Sequence, residues 1–174
     1  GKMTTSKTYK RMYPHWGYSG KTIISNPIGQ GEVLMTPIQL ANMMATVANR
    51  GYYYTPHIIK KIKGEKIDPK FTTKHVTKID KKHFDPMISG LFDVYNLGTA
   101  RALQVEGIEI CGKTGTAENF AKINGKRTQL EDHSIFVAFA PKDNPKIAIA
   151  ILVENGGFGA TIAGPIASLM IEKY

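Results

Sequence analysis

The chain has 174 residues, of which 42% are hydrophobic and 21% are charged, and this composition excludes a disordered or fibrous protein. No run approaches the roughly 18 apolar residues of a membrane-spanning helix, and the single cysteine, Cys111, excludes a disulfide within the chain. An ordinary globular domain with its own core is therefore expected.

The net charge of +9 is concentrated in one stretch. Nine lysines lie between residues 60 and 82, where only three acidic residues oppose them, so this stretch alone contributes +6 (9 − 3). A nucleic-acid-binding face more typically carries arginines and interleaved aromatic side chains, so no nucleic-acid partner is predicted. Attraction to another polyanion, such as a wall polymer or lipid headgroups, stays open as an alternative.

The first 50 residues divide into a loop-rich part and a helix. Residues 1–35 are predicted to be mostly loop, because glycine and proline recur through them: Pro14, Gly17, Gly20, Pro27, Gly29 and Gly31. A helix is predicted over 36–50, with Thr36 as N-cap, Pro37 at the first helical position and Gln39 completing a capping box. Gly51 is predicted to end this helix.

The middle of the chain contains a second helix. Residues 52–76 predict an extended segment that runs into the lysine-rich stretch. The next helix is predicted over 85–97, starting near Asp80 or Asp85, because Asp85-Pro86 combines a cap with a first-turn proline.

From Gln104 onward the apolar residues alternate with polar or small ones, which is typical of strands. Strands are predicted at 104–116 with a bulge at Gly107, at 133–140 and at 146–154, with a polar loop at 119–132.

The predicted strands and helices suggest a fold class, α/β of the α+β type. One antiparallel sheet is expected, with the C-terminal segment 160–172 packed across it as a helix and the helices 36–50 and 85–97 on its other side. In the strand 146–154, Ala148 and Ala150 lie on the face opposite the isoleucines, and the Ala/Gly-rich C-terminal helix is the candidate cover for this alanine face.

The stretch GIEICGKTGT, residues 107–116, has the spacing of a phosphate-binding loop. Such a loop needs small residues inside it and a helix that begins at the lysine. Here Ile108 to Cys111 predict strand, and Gly115 would weaken a helix by about 1 kcal/mol relative to alanine. Lys113-Thr114-Gly115 is therefore predicted to lie on a strand, and no ATP site is expected.

Several motifs together resemble the closing part of class B penicillin-binding proteins, most closely the penicillin-binding protein 2 subgroup of cell-elongation transpeptidases. They are Lys113-Thr114-Gly115, the segment GQGEVLMTPIQLANMMATVANRG, Gly98-Thr99-Ala100, Asp132-His133 and VENGGFGATIAGPIA. The resemblance covers about residues 20–174. It implies part of the penicillin-binding transpeptidase fold, which is similar to that of serine β-lactamases, with residues 1–19 as a connector or as residues foreign to the domain.

Two motifs of that family do not occur in the sequence. No serine is followed three positions later by lysine, and no Ser-x-Asn triplet is present. In the family both motifs lie upstream of the matched segment. The chain is therefore expected to be the C-terminal part of a longer D,D-transpeptidase and to be inactive alone.

The resemblance also implies roles for four residues. Lys113 and Thr116 would be catalytic, since Lys113 supplies positive potential and the backbone N–H of Thr116 forms half of the oxyanion hole. Lys113, Thr114, Gly115 and Thr116 would bind substrate, with hydroxyls on its carboxylate and Gly115 leaving room for its backbone. Without the flanking motifs, an edge strand carrying a solubilising lysine would be the favoured explanation of the tetrapeptide.

The partners implied by the resemblance are the peptidoglycan stem peptide, β-lactam antibiotics and, in the full-length parent, a membrane glycan polymerase. The implied location is the extracytoplasmic face of the bacterial membrane. No cofactor is expected. A β-lactam sensor, or another non-transpeptidase member of the same fold, is the alternative function.

Other reactive residues are assigned structural roles. His133 is predicted to be structural rather than a general base, and Cys111 a small packed residue rather than a reactive thiol. The five histidines show no metal-ligand spacing, so no metal site is predicted.

Overall fold

A computed structural model describes residues 5–15, 20–26 and 31–174. The chain divides into two compact units that meet in sequence between Gln39 and Leu40. The helices are α1 (Ser6–Met12), α2 (Gly20–Ser25), α3 (Pro37–Ala48), α4 (Pro69–Thr72), α5 (Phe84–Asn96) and α6 (Ala163–Lys173). The strands are β1 (Tyr52–Tyr53), β2 (His75–Val76), β3 (Cys111–Ala117), β4 (Phe120–Ile123), β5 (Lys126–Gln129), β6 (His133–Ala140) and β7 (Ile147–Val153).

Two stretches of the first unit that the structure describes, α1 and α2, are helical, so the prediction of mostly loop over 1–35 is wrong for residues 6–12 and 20–25. The Thr5 hydroxyl accepts a hydrogen bond from the Thr8 N–H and caps α1, which buries Tyr9. Tyr13 donates a hydrogen bond of 2.6 Å to Glu32, and this bond lowers the pKa of the Glu32 carboxyl. The same loop prediction for residues 1–4, 16–19 and 27–30 lies outside the described residues.

Helix α3 begins where its sequence signal predicts. The Gln39 side chain accepts hydrogen bonds from both the backbone N–H and the hydroxyl of Thr36, at 3.0 and 3.1 Å. Satisfying the N–H of the cap residue in this way is half of a capping box. Gly51, at φ 104°, follows the helix and takes a backbone conformation that a side chain disfavours.

Strands β3, β6 and β7 form one antiparallel sheet in the order β3-β6-β7. Cys111 pairs with Phe139 at one end of the β3–β6 ladder and Ala117 pairs with His133 at the other. On its other side β6 pairs with β7, from Ser134↔Val153 to Ala140↔Ile147. The predicted antiparallel sheet is confirmed, with β6 as its central strand.

Apolar cores cover both faces of this sheet. The α6-side core contains Phe136, Ala138 and Ile149 of the sheet together with Ala163, Ala167 and Ile171 of α6. The α3-side core contains Val137 and Phe139 of the sheet together with Met44 of α3 and Ile88 of α5. Alternate residues of β6 thus enter opposite cores, as the pleat requires. The predicted placement is confirmed for α6, for α3 and for the start of α5, but Tyr95 near the end of α5 lies in the α6-side core.

The prediction for the two faces of β7 is wrong in one respect. Helix α6 packs on the isoleucine face, where its Ala163 and Ala167 lie against Ile149. Ala148 and Ala150 instead border the α3-side core. The small residues of α6 accommodate the bulky residues of β7, so small residues lie on one side of this contact and not on both sides as predicted.

Two short strands close the lysine-rich excursion. Tyr52 pairs with Val76 and Tyr53 with His75, so only the two ends of the predicted extended segment 52–76 are strand. Helix α5 begins at Phe84, one residue before the predicted start, and Asp85 forms an ion pair of 2.8 Å with Arg50.

Two further predictions need correction. The predicted strand 104–116 is strand only from Cys111, and Gly107 (φ 77°) lies in a tight turn between Val105 and Ile108 rather than in a bulge. The predicted loop 119–132 contains the hairpin β4–β5, which turns at Asn124-Gly125, both with positive φ. Neither hairpin strand has an alternating apolar face, because nearly all of their residues are exposed.

Candidate active-site strand

Strand β3 carries Lys113-Thr114-Gly115-Thr116 along the edge of the three-stranded sheet. Lys113 pairs with Val137 and therefore lies on the face of the α3-side core. Thr114 and Thr116 pair with Phe136 and Ser134 and lie on the opposite face. The structure thus places all four predicted residues on one edge strand, with the lysine and the two threonine side chains on different faces.

The ammonium group of Lys113 is exposed and close to its own strand. Its Nζ donates a hydrogen bond of 2.7 Å to the carbonyl oxygen of Thr114. Among the described residues, the ion pairs do not include Lys113. The positive charge is therefore available to an anion that approaches this edge.

The hydroxyl of Thr114 is held by the segment that follows α5. Thr99 and Thr114 share a hydrogen bond of 3.0 Å between their hydroxyl groups. Gly98 allows the tight turn at the end of α5, because a Cβ there would lie 2.9 Å from backbone atoms of Val94. The next residue, Ala100, is fully buried in the α6-side core. The Gly98-Thr99-Ala100 step thus positions a second hydroxyl beside the strand.

Thr116 faces a buried hydrogen-bonding serine. Ser134, its pairing partner on β6, is fully buried. The Ser134 hydroxyl donates to the carbonyl oxygen of Phe158 and accepts from the N–H of Ala163, each at 3.0 Å. Ser134 therefore attaches the segment after β7 and the start of α6 to the sheet beside Thr116.

The backbone of Gly159 lies close to the backbone of the candidate strand. A Cβ built on Gly159 would overlap the carbonyl oxygens of Ile135 and Gly115 and would lie 2.9 Å from the Gly115 nitrogen. By contrast, a Cβ on Gly115 would lie 3.3 Å from the Cβ of Ile135. Sequence reasoning did not single out Gly159, although its signal is present in the glycine cluster Gly156-Gly157-Phe158-Gly159.

Polar contacts join the hairpin to the end of β7. The Asn119 side chain donates to Asn155 Oδ1 at 2.7 Å and to the Glu131 carbonyl oxygen at 3.3 Å. His133 Nδ1 lies 3.1 Å from the backbone nitrogen of Asn155, and this nitrogen can only donate. The neutral His133 ring therefore carries its proton on Nε2, and the side chain has a structural hydrogen bond at the start of β6.

Cys111 is a packed core residue, as predicted. Its side chain is fully buried in the α3-side core, and burial raises the pKa of the thiol to about 12. A thiol that stays protonated at neutral pH is a poor nucleophile.

The structure does not have the geometry of a phosphate-binding loop. Gly112, Lys113 and Thr114 lie inside β3, where such a loop would begin its helix. The described part of the chain has no group of three or more metal-ligating side chains. Within residues 5–15, 20–26 and 31–174, no helix is long and apolar enough to cross a membrane.

A family model and similar curated proteins point to the same protein family. The family model described as penicillin binding protein transpeptidase domain matches residues 4–172. The chain is 34% identical over 181 residues to the peptidoglycan D,D-transpeptidase MrdA of Haemophilus influenzae, covering 97% of this chain and 27% of that protein. It is 39% identical over 158 residues to MrdA of Acinetobacter baumannii, covering 83% of this chain and 23% of that protein.

Solved structures support the same relationship. The structure of Pseudomonas aeruginosa PBP2 in complex with WCK 5153 matches with a TM-score of 0.76 and 32% identity, over 97% of this chain and 35% of that one. Penicillin-binding protein A of M. tuberculosis, as an imipenem acyl-enzyme, matches with a TM-score of 0.69 and 28% identity, over 85% of this chain and 32% of that one.

The chain spans about a quarter of the length of the curated relatives that it matches. The family model nevertheless covers nearly all of it, and the observed sheet with flanking helices agrees with the matched structures. The chain therefore belongs to the penicillin-binding protein transpeptidase domain family.

Proposed function

We propose that this chain is the substrate-anchoring part of a peptidoglycan D,D-transpeptidase, which cross-links stem peptides by serine acyl transfer. The observation that carries the proposal is the exposed cation of Lys113 on the edge strand β3, which has no carboxylate partner among the described residues. It is supported by relatives that are themselves named peptidoglycan D,D-transpeptidases. Those names favour a transpeptidase over a β-lactam sensor.

The edge strand β3 would offer both backbone hydrogen-bonding groups and a charged group to the substrate. An extended stem peptide would add to β3 as a further strand, because an edge strand presents unpaired backbone groups. Lys113 would provide positive potential for the terminal carboxylate, and the hydroxyls of Thr114 and Thr116 would hydrogen bond to it. Because Gly115 has no side chain, the substrate backbone could approach the strand there without a clash.

Acyl transfer needs groups beyond this strand. A serine oxygen attacks the carbonyl carbon of the penultimate D-alanine, its proton passes to a base, and the terminal D-alanine leaves with a proton on its nitrogen. We assign half of the oxyanion hole to the backbone N–H of Thr116. The nucleophile would come from a Ser-x-x-Lys segment outside these 174 residues, since none of their serines has a lysine three positions later.

The same site would bind β-lactams. Penicillin-binding protein A of M. tuberculosis has been solved as acyl-enzymes with imipenem and with penicillin G. These ligands carry a carboxylate beside the reactive carbonyl, as the stem peptide does, so Lys113 would attract both. We further propose that the whole protein works at the extracytoplasmic face of the bacterial membrane together with a glycan polymerase.

Covalent labelling with a fluorescent penicillin tests this function. The 174-residue chain should stay unlabelled, and a version extended upstream to include a Ser-x-x-Lys segment should be labelled on that serine. Denaturing electrophoresis and intact-mass measurement would report the adduct. A stable adduct on the 174-residue chain would show that the nucleophile is misassigned, and an extended protein that never labels would contradict the transpeptidase proposal.

A further inference from the structure

Residues 54–82, here called the lysine segment, form an exposed excursion between β1 and α5. Pairing of β1 with β2, which lies within the segment, closes residues 54–74 into a loop, and the Thr77 N–H donates to the Gly51 carbonyl oxygen at 2.8 Å. Inside the excursion the backbone hydrogen bonds join residues three or four apart, such as Phe71 to Asp68 and Thr73 to Pro69. The lysine segment is thus anchored at its ends and locally folded between them.

The lysine segment exposes large aliphatic side chains to water. Ile58 is 100% exposed and Val76 is 71% exposed. Four further isoleucines of the segment are also exposed: Ile59, Ile62, Ile67 and Ile79. A concentration of exposed aliphatic side chains in one segment is typical of a surface that contacts another apolar phase.

The same segment carries a large excess of positive charge. Its nine lysines face three acidic residues, of which Asp68 pairs with Lys70 at 3.0 Å and Asp80 with Lys82 at 3.8 Å. The other lysines have no carboxylate partner among the described residues: Lys60, Lys61, Lys63, Lys66, Lys74, Lys78 and Lys81. The unpaired charges alternate in sequence with the exposed isoleucines, as in Ile58-Ile59-Lys60-Lys61-Ile62-Lys63.

We propose that the lysine segment docks on an anionic lipid bilayer surface. Its lysines would contact the headgroups, and its isoleucines would enter the boundary between headgroups and acyl chains. A soluble polyanion would neutralise the lysines but leave the isoleucines in water, so the exposed apolar residues favour the bilayer. This inference rests on neither Lys113 nor the transpeptidase proposal.

Vesicle cosedimentation of the whole chain tests the proposal. Vesicles of phosphatidylglycerol and phosphatidylcholine should bind the chain, pure phosphatidylcholine vesicles should bind it far less, and added salt should weaken the binding. Replacing Lys60, Lys61, Lys63 and Lys66 by glutamine should weaken binding at least about tenfold, since each lysine near an anionic surface changes the partition coefficient several-fold.

A second variant separates the bilayer from a soluble polyanion. The combined change Ile58→Ser, Ile59→Ser and Ile62→Ser should weaken vesicle binding several-fold and leave binding to soluble poly(glycerol phosphate) unchanged. A matched control on the exposed hairpin, Lys122→Gln with Ile123→Ser and Lys126→Gln, should bind vesicles as the original chain does.

Three results would overturn the proposal: no binding to anionic vesicles, an isoleucine variant that binds as well as the original chain, or a hairpin control that loses as much binding as the lysine variant. Circular dichroism of each variant would verify that its fold is unchanged.

Discussion

A tight backbone contact at the candidate strand involves Gly159, whose Cα lies against the main chain of Gly115 and Ile135. The obstructing atoms are backbone oxygens, which cannot rotate away as a flexible side chain can. Gly115 itself has slightly more room. The glycine with the tighter packing requirement is therefore Gly159, in the segment after β7, and not Gly115 of the Lys-Thr-Gly motif.

We predict that Gly159→Ala lowers the free energy of unfolding by about 1–3 kcal/mol, because it forces overlapping backbone apart. Urea unfolding followed by circular dichroism measures this. Gly90→Ala is the matched control, since Gly90 lies in α5 with open space around its Cβ position, and alanine should there be neutral or stabilising. Equal loss in the two variants would contradict the assigned contact.

Cys111 gives a prediction for alkaline pH. Burial raises its thiol pKa from 9.0 to about 12, so above pH 9 the unfolded chain releases a proton that the folded chain keeps. This favours the unfolded state, and stability should fall between pH 9 and pH 12 by roughly 1.4 kcal/mol per pH unit from this group. For Cys111→Ala, the free energy of unfolding measured in urea should fall less steeply between pH 9 and pH 12 than it does for the original chain. Parallel pH profiles for the two proteins would refute the assignment.

At the scale of elements, the N-terminus of α6 depends on a residue of another element. Its cap residue, Ile162, provides no side-chain hydrogen bond, and Ser134 of β6 accepts from the Ala163 N–H instead. The sequence predicts α6 from its composition but not this cap, because Ser134 lies far from the helix along the chain. Local capping signals such as Thr36 and Gln39 were readable because both partners are within one turn.

Ser134→Ala should destabilise the chain by about 1–3 kcal/mol, because it leaves the Phe158 carbonyl and the Ala163 N–H without this buried partner. Hydrogen exchange should show weaker protection in the first turn of α6. Ser89→Ala, at an exposed position of α5, serves as the control and should change stability little. Unchanged protection at Ala163 would contradict the cap.

The hairpin β4–β5 shows why some elements escape sequence analysis. Its strands are exposed on both faces and lack the apolar alternation that revealed β6 and β7. Asn124-Gly125 is a typical hairpin turn sequence, but the residues on both sides of it are mostly polar, so the sequence predicted a loop there rather than two strands. Helix α1 was missed for a related reason, since Tyr9 is its single buried residue.

At the scale of the whole molecule, the sequence predicts one antiparallel sheet, its burial on both faces and the strand that carries Lys113, whereas the strand order β3-β6-β7 comes from the structure. Which helix covers which face of β7 could not be read, because the pattern of large and small residues fits either assignment. The faces of Lys113 and Thr114 follow only from the register with β6. The family resemblance identified the motif, and the structure places it on an edge strand.

The most direct test of the central claim is the acylation rate of a complete enzyme that contains this chain. Lys113→Ala should slow acylation by a fluorescent penicillin by about 10²–10³, since removing one electrostatic stabiliser has this effect. Lys122→Ala on the hairpin should acylate at the original rate, and both variants should unfold at the original temperature. Near-normal acylation of Lys113→Ala would mean that Lys113 is only a surface charge and would contradict the proposed anchoring role of β3.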